Sequence, residues 1–175
     1  MKTWIKHPTP IVFSPDSKNL AIASADSLQI WDISACCCIA MKTHQQDDLD
    51  ITCIAYSPGG AHVAYGTQSG TVWLWDLETD HSSQVGNTLE GRNQRIACVA
   101  FSPAGKTIAS ISGEALRIWD AETVRQVGED MVGHPDGILC VAFSPDSRHV
   151  AAGEHDGLVR IWDVKTQRQL GDALQ

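Results

Sequence analysis

The sequence predicts an all-β fold made of four repeated antiparallel sheets, and three observations carry that prediction. A Trp-Asp pair closes an apolar run four times, with the tryptophans at 31, 75, 119 and 162, spaced 44, 44 and 43 residues apart. Each pair ends a related stretch: FSPDSKNLAIASADSLQIWD from Phe13, YSPGGAHVAYGTQSGTVWLWD from Tyr56, FSPAGKTIASISGEALRIWD from Phe101 and FSPDSRHVAAGEHDGLVRIWD from Phe143. Within each stretch, short apolar segments alternate with Ser-Pro and Gly turns, which is the rhythm of strands joined by hairpins.

The elements follow in order. A first strand (ITCIAY, IACVAF, ILCVAF) meets a Ser-Pro-x-Gly or Ser-Pro-Asp-Ser turn, where proline presets one backbone angle and Ser, Asp or Gly completes the bend. A second strand (HVAYG, TIASI, HVAAG) runs into a short turn such as Gln68-Ser69-Gly70 or His155-Asp156-Gly157. A third strand (TVWLW, ALRIW, LVRIW) carries β-branched residues to the tryptophan. The fourth is weaker, written SQVGNTL, RQVGEDM and RQLGDAL. The chain is thus expected to be a single domain over residues 1–175, with repeats at about 1–43, 44–90, 91–132 and 133–175.

Through FSPD, GH, RIWD and the period together, the sequence resembles the WD40 (WD-repeat) β-propeller family over essentially its whole length. The resemblance implies four four-stranded blades, standing as an open arc or as part of a larger propeller. The V-G-x-x-L/M spacing followed by GH and VAFSPD is also similar to the long WD arrays attached to fungal NACHT-type signalling ATPases. In the family a His of the GH step, a Ser or Thr on the second strand, an Asp in the tight turn and the Trp form a structural hydrogen-bonded tetrad. Carried over, the fourth repeat supplies His134, Asp156 and Trp162, with Ala152 at the hydroxyl position. The histidine position reads Trp4, Asp47 and Arg92 in the other repeats, the hydroxyl position Ile22, Tyr65 and Ser110, and the Asp position Asp26, Ser69 and Gly113 or Glu114.

Composition narrows the function. Of 175 residues 43% are hydrophobic, as in a globular chain, and a net charge of -8 opposes binding to a phosphate backbone, so nucleic acid is not the expected partner. The opening MKTWIKHPTPIVF breaks any apolar run with Lys6, His7 and two prolines, unlike a signal peptide. The run from Ala35 to Met41 is far shorter than the roughly 20 residues of a spanning helix. No membrane association is expected, and the expected compartment is the cytoplasm, with the nucleus as the alternative. Cys36, Cys37 and Cys38 are adjacent, and Cys53, Cys98 and Cys140 recur singly inside apolar stretches, a pattern that suits buried reduced thiols, the last three packed between blades. No CxxC pair suggests zinc, and neither metal nor cofactor is expected.

His134 and Asp156 as catalytic groups would need a nearby nucleophile, and Ala152 removes the one hydroxyl the family would place there. His134-Pro135-Asp136 matches a co-chaperone loop signature that belongs between helices, whereas strands flank it here. Ala104-Gly105-Lys106-Thr107 resembles the tail of a phosphate-binding loop but lacks the earlier glycine, whose place is Ala100.

The expected function is therefore a non-catalytic protein–protein interaction scaffold presenting a mixed, acidic-leaning loop surface. Its candidate contacts are Asp47, Asp48, Asp50, Arg92, Arg95, Glu114, Glu154 and His155, which suit a protein or peptide partner rich in Lys or Arg. Trp73 stands where later repeats have Arg117 and Arg160, either as an interface anchor or as cover for an imperfect blade. The alternative is an enzyme or enzyme subunit with a polar pocket near the propeller axis. Four repeats leave two apolar blade faces to cover, by a homodimer partner or by continuation into a longer WD array.

Overall fold

The computed structural model describes residues 10–24, 27–43, 50–87 and 94–175. Four antiparallel sheets, one per repeat, follow one another along the chain. Sheet 1 contains β1 (Ile11–Phe13), β2 (Asn19–Ala23), β3 (Ser27–Asp32) and β4 (Cys37–Thr43). Sheet 2 contains β5 (Ile51–Tyr56), β6 (His62–Thr67), β7 (Thr71–Asp76) and β8 (Ser82–Asn87). Sheet 3 contains β9 (Ile96–Phe101), β10 (Thr107–Ser112), β11 (Ala115–Asp120) and β12 (Met131–Val132); sheet 4 contains β13 (Ile138–Phe143), β14 (His149–Glu154) and β15 (Val159–Asp163). Each is a meander in chain order, and among the described residues no helix is long and apolar enough to cross a membrane.

The Ser-Pro step closes the first hairpin of every repeat by one device. The hydroxyls of Ser14, Ser57, Ser102 and Ser144 accept the backbone N–H five residues on, at 2.9, 3.0, 3.1 and 3.0 Å. The turn needs a left-handed residue three places after the serine, which is Gly60 and Gly105 in the middle repeats but Ser17 and Ser147 in the outer two. The Asp of each Trp-Asp pair closes the turn after the third strand. Its Oδ1 accepts a backbone N–H at 2.7 Å from Ala35 to Asp32, 3.0 Å from Thr79 to Asp76, 2.7 Å from Thr123 to Asp120 and 2.7 Å from Thr166 to Asp163.

The sheets stack in chain order through their first strands, β1 beside β5, β5 beside β9 and β9 beside β13. Three apolar clusters fill the three junctions. The first holds Ala21 and Ile30 against Tyr56, Val63 and Trp75; the second Ala64 and Leu74 against Ile108 and Trp119; the third Ala109 and Ile118 against Val150 and Trp162. Among the described residues the array is all-β and unclosed, an open arc of four sheets.

Four full strands were expected in every sheet, and the fourth edge is incomplete in the last two. β12 has two residues plus a bridge from Trp119 to Gln126, and in sheet 4 the edge reduces to bridges from Val159 to Leu174 and Trp162 to Gln169. Gly128 and Gly171 adopt φ of +70° and +67° between those contacts, turning the chain off the ladder. The thiol expectation needs correction at four positions, because Cys36, Cys37, Cys38 and Cys140 are exposed, whereas Cys53 and Cys98 are partly covered and pack against the inter-sheet clusters.

Candidate functional site

The Ser-Pro and Trp-Asp turns share one end of the array, here the lower end, so the β6–β7, β10–β11 and β14–β15 turns and the link from β12 to β13 share the upper end. At the upper end of sheet 4 the His134 and His155 loops meet. His134 Nδ1 accepts the Asp136 N–H at 3.2 Å, and its Nε2 lies 3.9 Å from Asp156 Oδ2. Asp156 also accepts the Leu158 N–H at 2.9 Å and lies 3.6 Å from Arg160. Trp162 is buried in the junction with sheet 3, and Ala152 offers no hydroxyl on its face. The structure thus brings His134 and Asp156 together and leaves Trp162 outside the polar cluster.

Glu154 is 3% exposed, so it is withdrawn from the loop surface on which the sequence placed it. Its carboxylate pairs with the Arg160 guanidinium and accepts the His134 N–H at 3.2 Å. The space that it fills lies against Gly133, where a Cβ would overlap its Oε1. A carboxylate this deep is tolerable only when its charge is met, and the Arg160 guanidinium beside it, which also faces Asp156, meets that charge. Sequence reasoning missed this pair, although the signal was present: Arg160 aligns with Arg117, which is itself paired with a carboxylate, binding Asp130 in two parallel contacts of 2.8 and 2.6 Å.

Of the other candidates, Asp50, Arg95 and His155 are exposed and Glu114 is half-buried. Asp47, Asp48 and Arg92 lie outside the described residues, as do Trp4 and Asp26. Trp73 is half-buried, stacked on buried Tyr65 with ring centroids 6.5 Å apart and planes 11° from parallel, and packed against the sheet 1–sheet 2 cluster. The two cavities described, of about 490 and 440 Å³, are not lined by His134, Glu154, His155 or Asp156. The larger lies at the lower end between sheets 2 and 3, and its Asp120 is committed to the turn that it caps. Among the described residues no three His, Cys, Asp or Glu side chains converge as a metal site requires.

The comparisons agree with this architecture. The family model of the WD domain, G-beta repeat (WD40), matches residues 35–76, 83–120 and 125–163. Pre-mRNA-processing factor 19 homolog 2 of Arabidopsis thaliana is 24% identical over 116 residues, covering 66% of this chain and 22% of that protein. Meiotic recombination protein rec14 of Schizosaccharomyces pombe is 34% identical over 107 residues, covering 60% of this chain and 33% of that protein. The Arabidopsis thaliana transcriptional corepressor LEUNIG_HOMOLOG is 26% identical over 125 residues, 68% of this chain and 15% of its own length. The chain spans a third or less of each of these relatives.

Proposed function

This chain belongs to the WD40 family, and we propose that it is a non-catalytic scaffold that binds a protein or peptide through its upper loops. The observation that carries the reading is the fate of the polar cluster in sheet 4. His134, Glu154, Asp156 and Arg160 are spent on one another and on backbone groups, with no hydroxyl or thiol among them to act as nucleophile. The enzyme alternative would require a polar pocket near the axis lined by such groups.

The exposed loops remain. Asp50, Asp47 and Asp48 give the link between sheets 1 and 2 an acidic character that favours a Lys- or Arg-rich partner, with Arg95 and His155 on neighbouring loops. We read residues 1–175 as one domain of four repeats, at about 1–43, 44–90, 91–132 and 133–175, inside the cell. Relatives named for pre-mRNA processing, meiotic recombination and transcriptional corepression support the nucleus beside the cytoplasm. The V-G-x-x-L/M and GH pattern supports a narrower kinship with WD arrays of fungal NACHT-type proteins. The open ends suit a second copy or a longer array.

The test is a pull-down with the purified chain, repeated after Asp47→Lys and Asp48→Lys together. The partner is expected to be lost, and to be lost also as salt is raised, because exposed charges are screened within about 10 Å at 0.1 M ionic strength. Recovery of the same proteins with the double variant would remove that loop from the site.

A further inference from the structure

One rule governs how these sheets pack on one another, and it leaves two faces of the chain unmatched. The face that each sheet turns toward its predecessor is large, with Tyr56, Val63 and Trp75 aligned across sheet 2 and Phe143, Val150 and Trp162 across sheet 4. The face turned toward the successor begins with small residues, Ala55, Ala64 and Leu74 in sheet 2 and Ala100, Ala109 and Ile118 in sheet 3. Each of the three junctions seats a large leading face in a small trailing one. Close packing needs such alternation, because protrusions on one surface must fill hollows on the other.

Sheet 1 carries Phe13, Leu20 and Trp31 in the leading positions, and Phe13 is 60% exposed beside Ile11 at 62% and Met41 at 56%. Sheet 4 carries Ala142, Ala151 and Ile161 in the trailing positions, and with Leu170 these line an open apolar groove of about 440 Å³. The cysteines report the same vacancy. Cys53 and Cys98 pack into the junction clusters ahead of them, whereas Cys140, at the matching position of sheet 4, is exposed.

We propose that these two faces form one further junction with a second copy of this chain. The trailing face of sheet 4 in one protomer receives the leading face of sheet 1 in its partner, and a two-fold axis repeats the contact to close a ring of eight sheets. The proposal deepens the second-copy part of the reading above and is independent of the loop partner. Size fixes the orientation. Two trailing faces would set alanine against alanine and leave voids, and two leading faces would crowd Phe13 and Trp31 against their own copies. A head-to-tail contact closes into a ring when its rotation permits, and eight sheets lie within the range of propellers.

Sedimentation of the intact chain with Phe13→Asp and Ile161→Asp variants tests this. The parent is expected at micromolar concentration as one species of twice the 19.0 kDa chain mass. Both variants are expected to be monomers with unchanged far-UV circular dichroism, because each damages both junctions of the pair. Mixing them should restore a dimer, since the Phe13→Asp chain keeps a sound trailing face and the Ile161→Asp chain a sound leading one. Alkylation of Cys140 should be about tenfold slower in the parent than in Phe13→Asp, with Cys36 reacting equally in both. If Ile161→Asp does not fold, Leu170→Asp probes the same face from its exposed rim. A monomeric parent, a dimer that survives either face's variant, or open-ended polymers would each overturn the proposal. Asp47→Lys with Asp48→Lys tests the loop reading separately, since it should abolish partner capture and leave the sedimentation unchanged.

Discussion

Three of the four repeat tryptophans donate their indole N–H to three different kinds of acceptor. Trp31 donates to Gln29 Oε1 at 2.9 Å, Trp75 to Asp80 Oδ1 at 2.9 Å and Trp119 to Ser110 Oγ at 2.8 Å. What repeats is therefore the ring, which fills a junction in sheets 2, 3 and 4, while the acceptor is supplied by the same strand for Trp31, by the following turn for Trp75 and by the neighbouring strand for Trp119. Ser110 and Trp119 are both buried, so Ser110→Ala leaves an N–H without protein or solvent partner. A loss of about 1–3 kcal/mol is expected in urea unfolding, the cost of an unsatisfied buried donor. Asp130→Ala should cost a similar 1.5–3 kcal/mol or so, because Arg117 would keep its charge in a site 8% exposed. Burial pushes the Asp130 carboxyl up, but hydrogen bonds from Arg117 and Gln126 outweigh it and hold the group below its ordinary range.

The turns set how the elements respond to acid. Hydrogen bonds from the backbone N–H groups of Ala35, Thr79, Thr123 and Thr166 hold the carboxyls of Asp32, Asp76, Asp120 and Asp163 below their ordinary value of 3.8. Groups lowered in the folded state stabilise it fully above that value, and the contribution is lost as pH falls through the folded pKa values, where the unfolded chain binds more protons. Urea midpoints should stay level down to about pH 5 and fall below about pH 4, with a shallower fall in Asp120→Asn. The junctions respond to volume instead. A Cβ at Gly66 would overlap Ile96 from the next sheet, whereas at Gly153 it would meet the Cys140 sulfur alone, at 2.9 Å. Gly66→Ala should therefore cost about 1–3 kcal/mol and Gly153→Ala clearly less. Period, hairpins and the three-strand core of each repeat were legible in the sequence because they depend on neighbours along the chain. The sinking of Glu154 beneath His134, the cover of Tyr65 by Trp73 and the truncated edge of sheet 4 were not, because each depends on what an adjacent strand or sheet leaves room for.

At the scale of the whole molecule two associations are proposed, and salt should move them in opposite directions. The chain carries a net charge of -8, so a pair of copies brings like charges together while burying the apolar faces of sheets 1 and 4. Screening weakens that repulsion and leaves apolar burial intact, so self-association should tighten as salt rises. Capture of a basic partner by the acidic upper loops draws on attraction between exposed charges and should weaken over the same range. Pairing also couples to folding by mass action, since a partner that binds only the folded chain raises its apparent stability. The melting temperature of the parent should climb with protein concentration, more steeply in high salt, while that of Phe13→Asp stays flat. A concentration-independent transition in the parent would mean that the face carrying Phe13 has no second copy to cover it.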